Sequence, residues 1–262
     1  MMTRFCASLT ILLISLLPAP GRTDTTIRLD GSPQAANAVL QVKGNLARLA
    51  SASQPAYVIY DKSRNLAVYV DTSGKTYTEI DRPTLEKYAN MMSTVRQQLQ
   101  RLPPAQRTLL EQRMGGLTGL SRNSGIPDLG ALHSVARGNR VIGGFHCELH
   151  ELLNERRPIG DVCLSTAAEA GISPADFTTL MAMMDFMRQA ASLTQEFTGE
   201  LTGNPQLLLN GLRGVPIAVR DFQSHQEFKV ANVSGKLIDA SLFNGYRGYR
   251  RQNLLEAITH GQ

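Results

Sequence analysis

The residues able to do chemistry gather in one stretch, Arg140 to Thr166, which reads RVIGGFHCELHELLNERRPIGDVCLST. It holds Cys147 and Cys163, set about a polar turn at Asn154–Arg157 with Pro158 and Gly160 just beyond. Read as an antiparallel hairpin, the flanks put Cys147 directly opposite Cys163, the arrangement a cross-strand disulfide needs. Two other chemistries compete for the pair. A two-cysteine metal site wants further Cys or His at ligand spacing, and a nucleophilic thiol wants a free partner base. The disulfide is the reading carried forward. It closes a loop of fifteen intervening residues, worth about 3 kcal/mol in the chain-entropy account.

Around Cys147 the types alternate, with His146, Glu148 and His150 at every second position. On a strand these three share one face, which could bind a divalent metal. The helical zinc-protease pattern is absent, because Glu does not directly follow His146. A polar outward face over an apolar inward one (Phe145, Cys147, Leu149) explains the same alternation. Metal binding is therefore the minor alternative, and no cofactor is expected. Ser165 and Ser173 lack the context of a nucleophile elbow, and Ser173 serves as a helix cap. Nothing in the pattern reads as an enzyme.

The start of the chain sets the expected compartment. One charge at Arg4, an apolar run from Phe5 to Leu17 and the small stretch Ala19-Pro20-Gly21 read as a secretory signal over 1–21, cleaved after Gly21. A buried first helix is the competing reading, but a charged start and a proline-flanked end fit export better. Cys6 lies too early to be an acylated lipoprotein cysteine. Of the three cysteines, removal of Cys6 leaves an even pair for an oxidising compartment, so a periplasmic or secreted soluble product is expected. No later segment reads as membrane-spanning. Of the 262 residues, 42% are hydrophobic and 19% charged, globular values that argue against wholesale disorder. The net charge of +5 is mild and scattered, which makes nucleic acid a poor partner.

The elements that must position these residues begin with short β-like pieces at Thr25–Leu29, Ala38–Lys43 and Leu46–Ala50. Tyr57–Tyr60, Leu66–Val70 and Thr76–Ile80 follow, separated by turn-forming spacers of hairpin length, and read as a three-strand meander. Helix then succeeds sheet. Asp81 offers an N-cap and Pro83 suits the first turn, and Leu85, Tyr88, Met92, Val95 and Leu99 form one apolar stripe. Pro103-Pro104 ends it, Ala105–Met114 starts a shorter helix, and residues 115–130 read as a loop. The glycines of that loop match no phosphate-cradling pattern.

Beyond the hairpin, Ser173-Pro174-Ala175-Asp176 supplies a cap hydroxyl, a first-turn proline and an acid favoured by the helix dipole. Phe177, Leu180, Met181, Met184, Met187 and Ala191 lie along one face of this helix. Met181, Met183, Met184 and Met187 with Phe186 make it soft and adaptable, either as a ligand wall or as an ordinary methionine-bearing core helix. Val215–Asp221 and Glu227–Val233 read as strands around Gln223-Ser224-His225. The tail, through Ser241–Arg247 and Gly248-Tyr249-Arg250-Arg251, reads as an exposed terminus with a tyrosine tucked under the sheet, in preference to a contact with anionic lipid.

The order of KTYTEID, a Met-bearing helix, VIGGFHCELHEL, DVCLS, GVPIAVRDF and SLFNGYRGYRR resembles a family of exported bacterial proteins known as domain of unknown function four-four-one-two. The residues carrying the resemblance are Gly144-Phe145-His146-Cys147, Gly214-Val215-Pro216, and Phe243 with Gly245-Tyr246; it spans about Ile27 to Arg251. The family is similar in pattern to lipoprotein-carrier half-barrels, so the resemblance implies an α+β fold. In it a curved antiparallel sheet wraps helices around an apolar cavity. The chain departs from the pattern by a helical insert at about 82–114 and by its second cysteine. The expectation is one secreted domain over 22–262. It would be a non-enzymatic binding or carrier module for an apolar small molecule, a lipid or a lipidated partner, with Phe177, Leu180, Met181, Met184 and Met187 on the cavity. The alternative is a structural or interaction domain, with an envelope protein as partner and a filled core.

Overall fold

A computed structural model describes residues 24–31, 37–103, 106, 132–198 and 212–260. The expected signal segment at 1–21, the loop at 115–130 and, residue 106 apart, the second short helix at 105–114 lie outside the described residues.

Six strands come first: β1 (Thr25–Gly31), β2 (Ala38–Lys43), β3 (Leu46–Ser51), β4 (Ala56–Asp61), β5 (Leu66–Asp71) and β6 (Thr76–Ile80). Each pairs antiparallel with the next through β6. The second series is β7 (Leu132–Ile142), β8 (Phe145–Asn154), β9 (Arg157–Ser165), β10 (Val215–Asp221) and β11 (Glu227–Ser234). It too is antiparallel throughout, and β11 closes against β1. A two-residue strand, β12 (Arg250–Arg251), runs parallel to β6. The described strands thus form one open, mostly antiparallel twelve-stranded sheet in the order β12-β6-β5-β4-β3-β2-β1-β11-β10-β9-β8-β7. With its helices the chain is α+β.

Three described helices accompany the sheet. In α1 (Arg82–Gln100), the Thr84 N–H donates to the Asp81 carboxylate at 2.8 Å, the cap expected from the sequence. In α2 (Pro174–Thr198), the Asp176 N–H donates to Ser173 Oγ at 3.1 Å. A short α3 (Leu254–His260) follows β12. Helix α2 is tied to the sheet by polar bonds as well as packing: Thr25 Oγ1 donates to the Asp176 carboxylate at 2.6 Å, and Thr179 Oγ1 to the Gly44 carbonyl at 2.7 Å. These bonds satisfy groups that burial would otherwise leave unpaired.

The meander is covered on both sides. Val42, Ala47, Tyr60 and Ala67 pack under Leu85 of α1 and Met183 and Phe186 of α2. On the other face Ile59, Leu66, Val68 and Val70 pack under Ile238 and Phe243. This is why β5 reads as a nearly unbroken apolar run: neighbouring residues point to opposite faces, and Tyr69 apart both faces are buried. The tail that supplies Phe243 turns through two short 3-10 segments, Ala240–Phe243 and Gly245–Gly248. Tyr246 and Tyr249 pack against this cluster, and the Tyr77 and Tyr246 rings lie 5.0 Å apart. The tail's tyrosines are tucked under the sheet.

Two sequence expectations need correction. Strand β7 was not expected as a whole, since only its end from Arg140 was read into the hairpin. It is exposed along most of its length and carries a register shift between Ala136 and Asn139, so no apolar alternation marks it. The cysteines are bonded, with Cα atoms 5.4 Å apart, yet they are not directly opposite. Cys163 faces Leu149, because Asn154 pairs with Arg157 and a further irregularity falls between Leu152 and Leu153. The two offsets add to an even shift, so Cys147 stays on the same face as Cys163 and reaches it diagonally.

Candidate functional site

Two hollows lie along the first half of α2. The apolar one is bounded by Leu180, Met183, Met184 and Met187 on the helix side. On the sheet side it meets Ile27, Leu29, Leu40 and Leu49, then Val215, Pro216, Phe228 and Val230. Its volume is about 80 Å³. Of the five cavity residues expected from the sequence, Leu180, Met184 and Met187 border it, whereas Phe177 and Met181 do not. The helix also buries a wider face than the expected stripe. Met183, 3% exposed, and Phe186, 5% exposed, are its deepest large side chains alongside Leu180. They point to the meander, while Phe177, Met181 and Met184 pack toward the disulfide half. A helix lying across two parts of a twisted sheet needs an apolar arc broader than one stripe.

The second hollow is larger, about 570 Å³, and polar. His146, Glu148 and His150 of β8 line it together with Ser165, the last residue of β9, and Thr166 and Glu169 beyond it. Asn139, Arg213 and Gly214 complete the rim, and Cys147, Leu164 and Phe177 give it an apolar floor. The expected outward polar face is thus only partly outward. Glu148 pairs across the sheet with Leu164 and His150 with Val162, both buried. The His150 side chain is 16% exposed, with its Nε2 3.2 Å from Glu148. Among the described residues, no three of His, Cys, Asp and Glu come together as a metal set. His146, Glu148 and His150 therefore share a pocket without forming the ligand shell of the minor alternative.

Ser165 enters this pocket in a role its sequence context did not reveal. It is 3% exposed, and its hydroxyl has no hydrogen-bond partner. Behind it, Thr166 and Glu169 bond reciprocally. The Thr166 N–H and Oγ1 donate to the Glu169 carboxylate at 3.2 and 2.7 Å, and the Glu169 N–H donates to Thr166 Oγ1 at 3.2 Å. The Thr166 bonds, side chain first, hold the Glu169 carboxyl below its ordinary range. The Thr-x-x-Glu spacing carries the signature of such a pair and was legible in principle. Arg213 and Gly214 were not, since they precede β10 and meet β9 only in space. Gly214 has φ +150°, and a Cβ there would stand 3.0 Å from the Ser165 carbonyl and 3.1 Å from Leu164 Cβ. Only glycine brings the chain this close to β9.

No described helix is long and apolar enough to cross a membrane. Comparison with protein-family models and with curated proteins finds no match to this chain.

Proposed function

We propose that this protein is a non-enzymatic, exported binding or carrier module. Its ligand is an apolar group of a small molecule, a lipid or a lipidated partner, held between α2 and the sheet. The observation that carries the reading is the cavity bordered by Leu180, Met184 and Met187. Its twelve lining residues are all apolar. The signal-like start over 1–21 and the bonded cysteine pair support export to the periplasm or beyond. A half-barrel curvature of the sheet, with residues 82–114 as an insert, belongs to the same reading.

Size limits the ligand. A dry cavity of about 150 Å³ accepts a benzene ring, so about 80 Å³ holds a few carbons as it stands. Three methionines in its wall can change rotamer at low cost and widen it. The same small volume favours the second reading, an envelope interaction domain whose core is full.

Met184 separates the two. If it borders ligand space, Met184→Ala costs well under the roughly 2–5 kcal/mol of a close-packed core methionine. Met184→Phe then leaves the fold intact and abolishes binding of an apolar fluorescent probe. A filled core gives the opposite pattern: a costly Met184→Ala, an overpacked Met184→Phe losing roughly 1–3 kcal/mol, and no probe binding by any of the three proteins. Thermal melts with and without probe read both quantities.

A further inference from the structure

We propose that the polar pocket beside the disulfide binds a compact zwitterion, an anionic and an ammonium group joined by a short linker. This inference stands apart from the apolar-ligand reading and survives its failure. The pocket's volume of about 570 Å³ lies in the range of small-molecule sites. Its functional groups have opposite signs and incomplete bonding.

Arg213 is exposed on the rim and makes no ion pair among the described residues. Its planar fork of donors suits a carboxylate or phosphate. Glu148 and Glu169 stand on the same pocket as carboxylates. Each keeps acceptor capacity beyond its bonds to His150 and to Thr166, since an ionised carboxylate offers about four lone-pair sites. On the same pocket, the buried Ser165 hydroxyl lacks a partner, a deficit that a ligand atom would relieve. Leu164, Phe177 and Cys147 provide apolar ground for the linker.

Charge decides the ligand class. A plain anion meets one guanidinium and two carboxylates, and a plain cation must share the pocket with Arg213. A zwitterion answers both. Gly214 allows the close approach of this segment to β9, because a Cβ there would crowd the Ser165 carbonyl and Leu164.

The test is calorimetric titration of the intact, oxidised protein with phosphoethanolamine, and with ethanolamine and inorganic phosphate as its separate halves. The zwitterion should bind at least about tenfold tighter than either half, and Arg213→Gln should remove most of that advantage. Ser165→Ala should weaken binding severalfold while leaving the melting temperature without ligand unchanged, since no internal partner is lost. Equal affinity for zwitterion and halves, or binding indifferent to Arg213→Gln, overturns the proposal. So does a Ser165→Ala variant that binds normally. A short-chain lysophosphatidylethanolamine distinguishes the source. If its tail adds affinity that Met184→Phe removes, the zwitterion is a lipid headgroup; if it binds like phosphoethanolamine, the ligand is a soluble molecule.

Discussion

Strands β3 to β6 are covered on both faces by apolar side chains, whereas β7 to β9 end beside a polar hollow and a disulfide joins β8 to β9. In the meander, Tyr60 and Ala67 face the helices while Ile59 and Val68 face the tail, so every strand is held from two sides. In the hairpin half, Cys147 and Cys163 belong to the core on the α2 side, and the edge strand β7 is largely exposed. Ion pairs span its strands, Arg137 with Glu151 and Arg220 with Asp161, but exposed pairs of this kind contribute little. The difference teaches where a crosslink matters. The half that can bury both faces has no need of one, and the half that keeps a pocket open forgoes part of that burial.

The comparison breaks first at Phe186. It lies 5.5 Å from the Tyr60 ring and joins α2 to the meander. Phe186→Ala should cost about 3–5 kcal/mol in denaturant unfolding, with the loss shared by the whole domain. A cost below about 1 kcal/mol would mean that the meander does not depend on α2.

The next effect is the crosslink. Cys163→Ser should lower stability by roughly 2–5 kcal/mol, and free-thiol labelling of the unreduced protein should find neither Cys147 nor Cys163 reactive. Hydrogen exchange sharpens the contrast: reduction should speed exchange in β8 and β9 and leave β4 and β5 protected. Uniform acceleration through both halves would show that they unfold as one unit and that the distinction between them is only local.

The smallest effect is at α1, which packs against α2 and α3 as well as the meander. Asp81 has its carboxyl held below the ordinary value of 3.8, chiefly by the Thr84 hydrogen bonds. A depressed native pKa contributes stability that is complete above the ordinary value and is lost as the pH falls through the lowered one. Asp81→Ala should therefore cost about 1 kcal/mol at neutral pH, and less as acid removes the cap from the parent. A penalty that persists unchanged at pH 2 would contradict the cap's electrostatic origin.

Most strands were legible because their chemistry is local. The spacers Asp61–Asn65 and Asp71–Lys75 are turn formers between apolar runs, and β2 and β6 begin and end where the sequence reading placed them. Both helix caps were legible for the same reason. Strand β7 was hidden because an exposed edge with a register shift carries no period.

The sequence by itself determined most of the local elements, since each depends on side-chain type and spacing within a few turns. Tertiary structure decided the rest. Edge-to-edge pairing of β1 with β11 joined the two series of strands into one sheet, and the irregularity in β9 moved Cys163 opposite Leu149. The approach of Gly214 to Ser165 made a pocket from residues nearly fifty positions apart. Those outcomes depend on which surfaces meet, and meeting surfaces are fixed by packing over distances that no sequence period records.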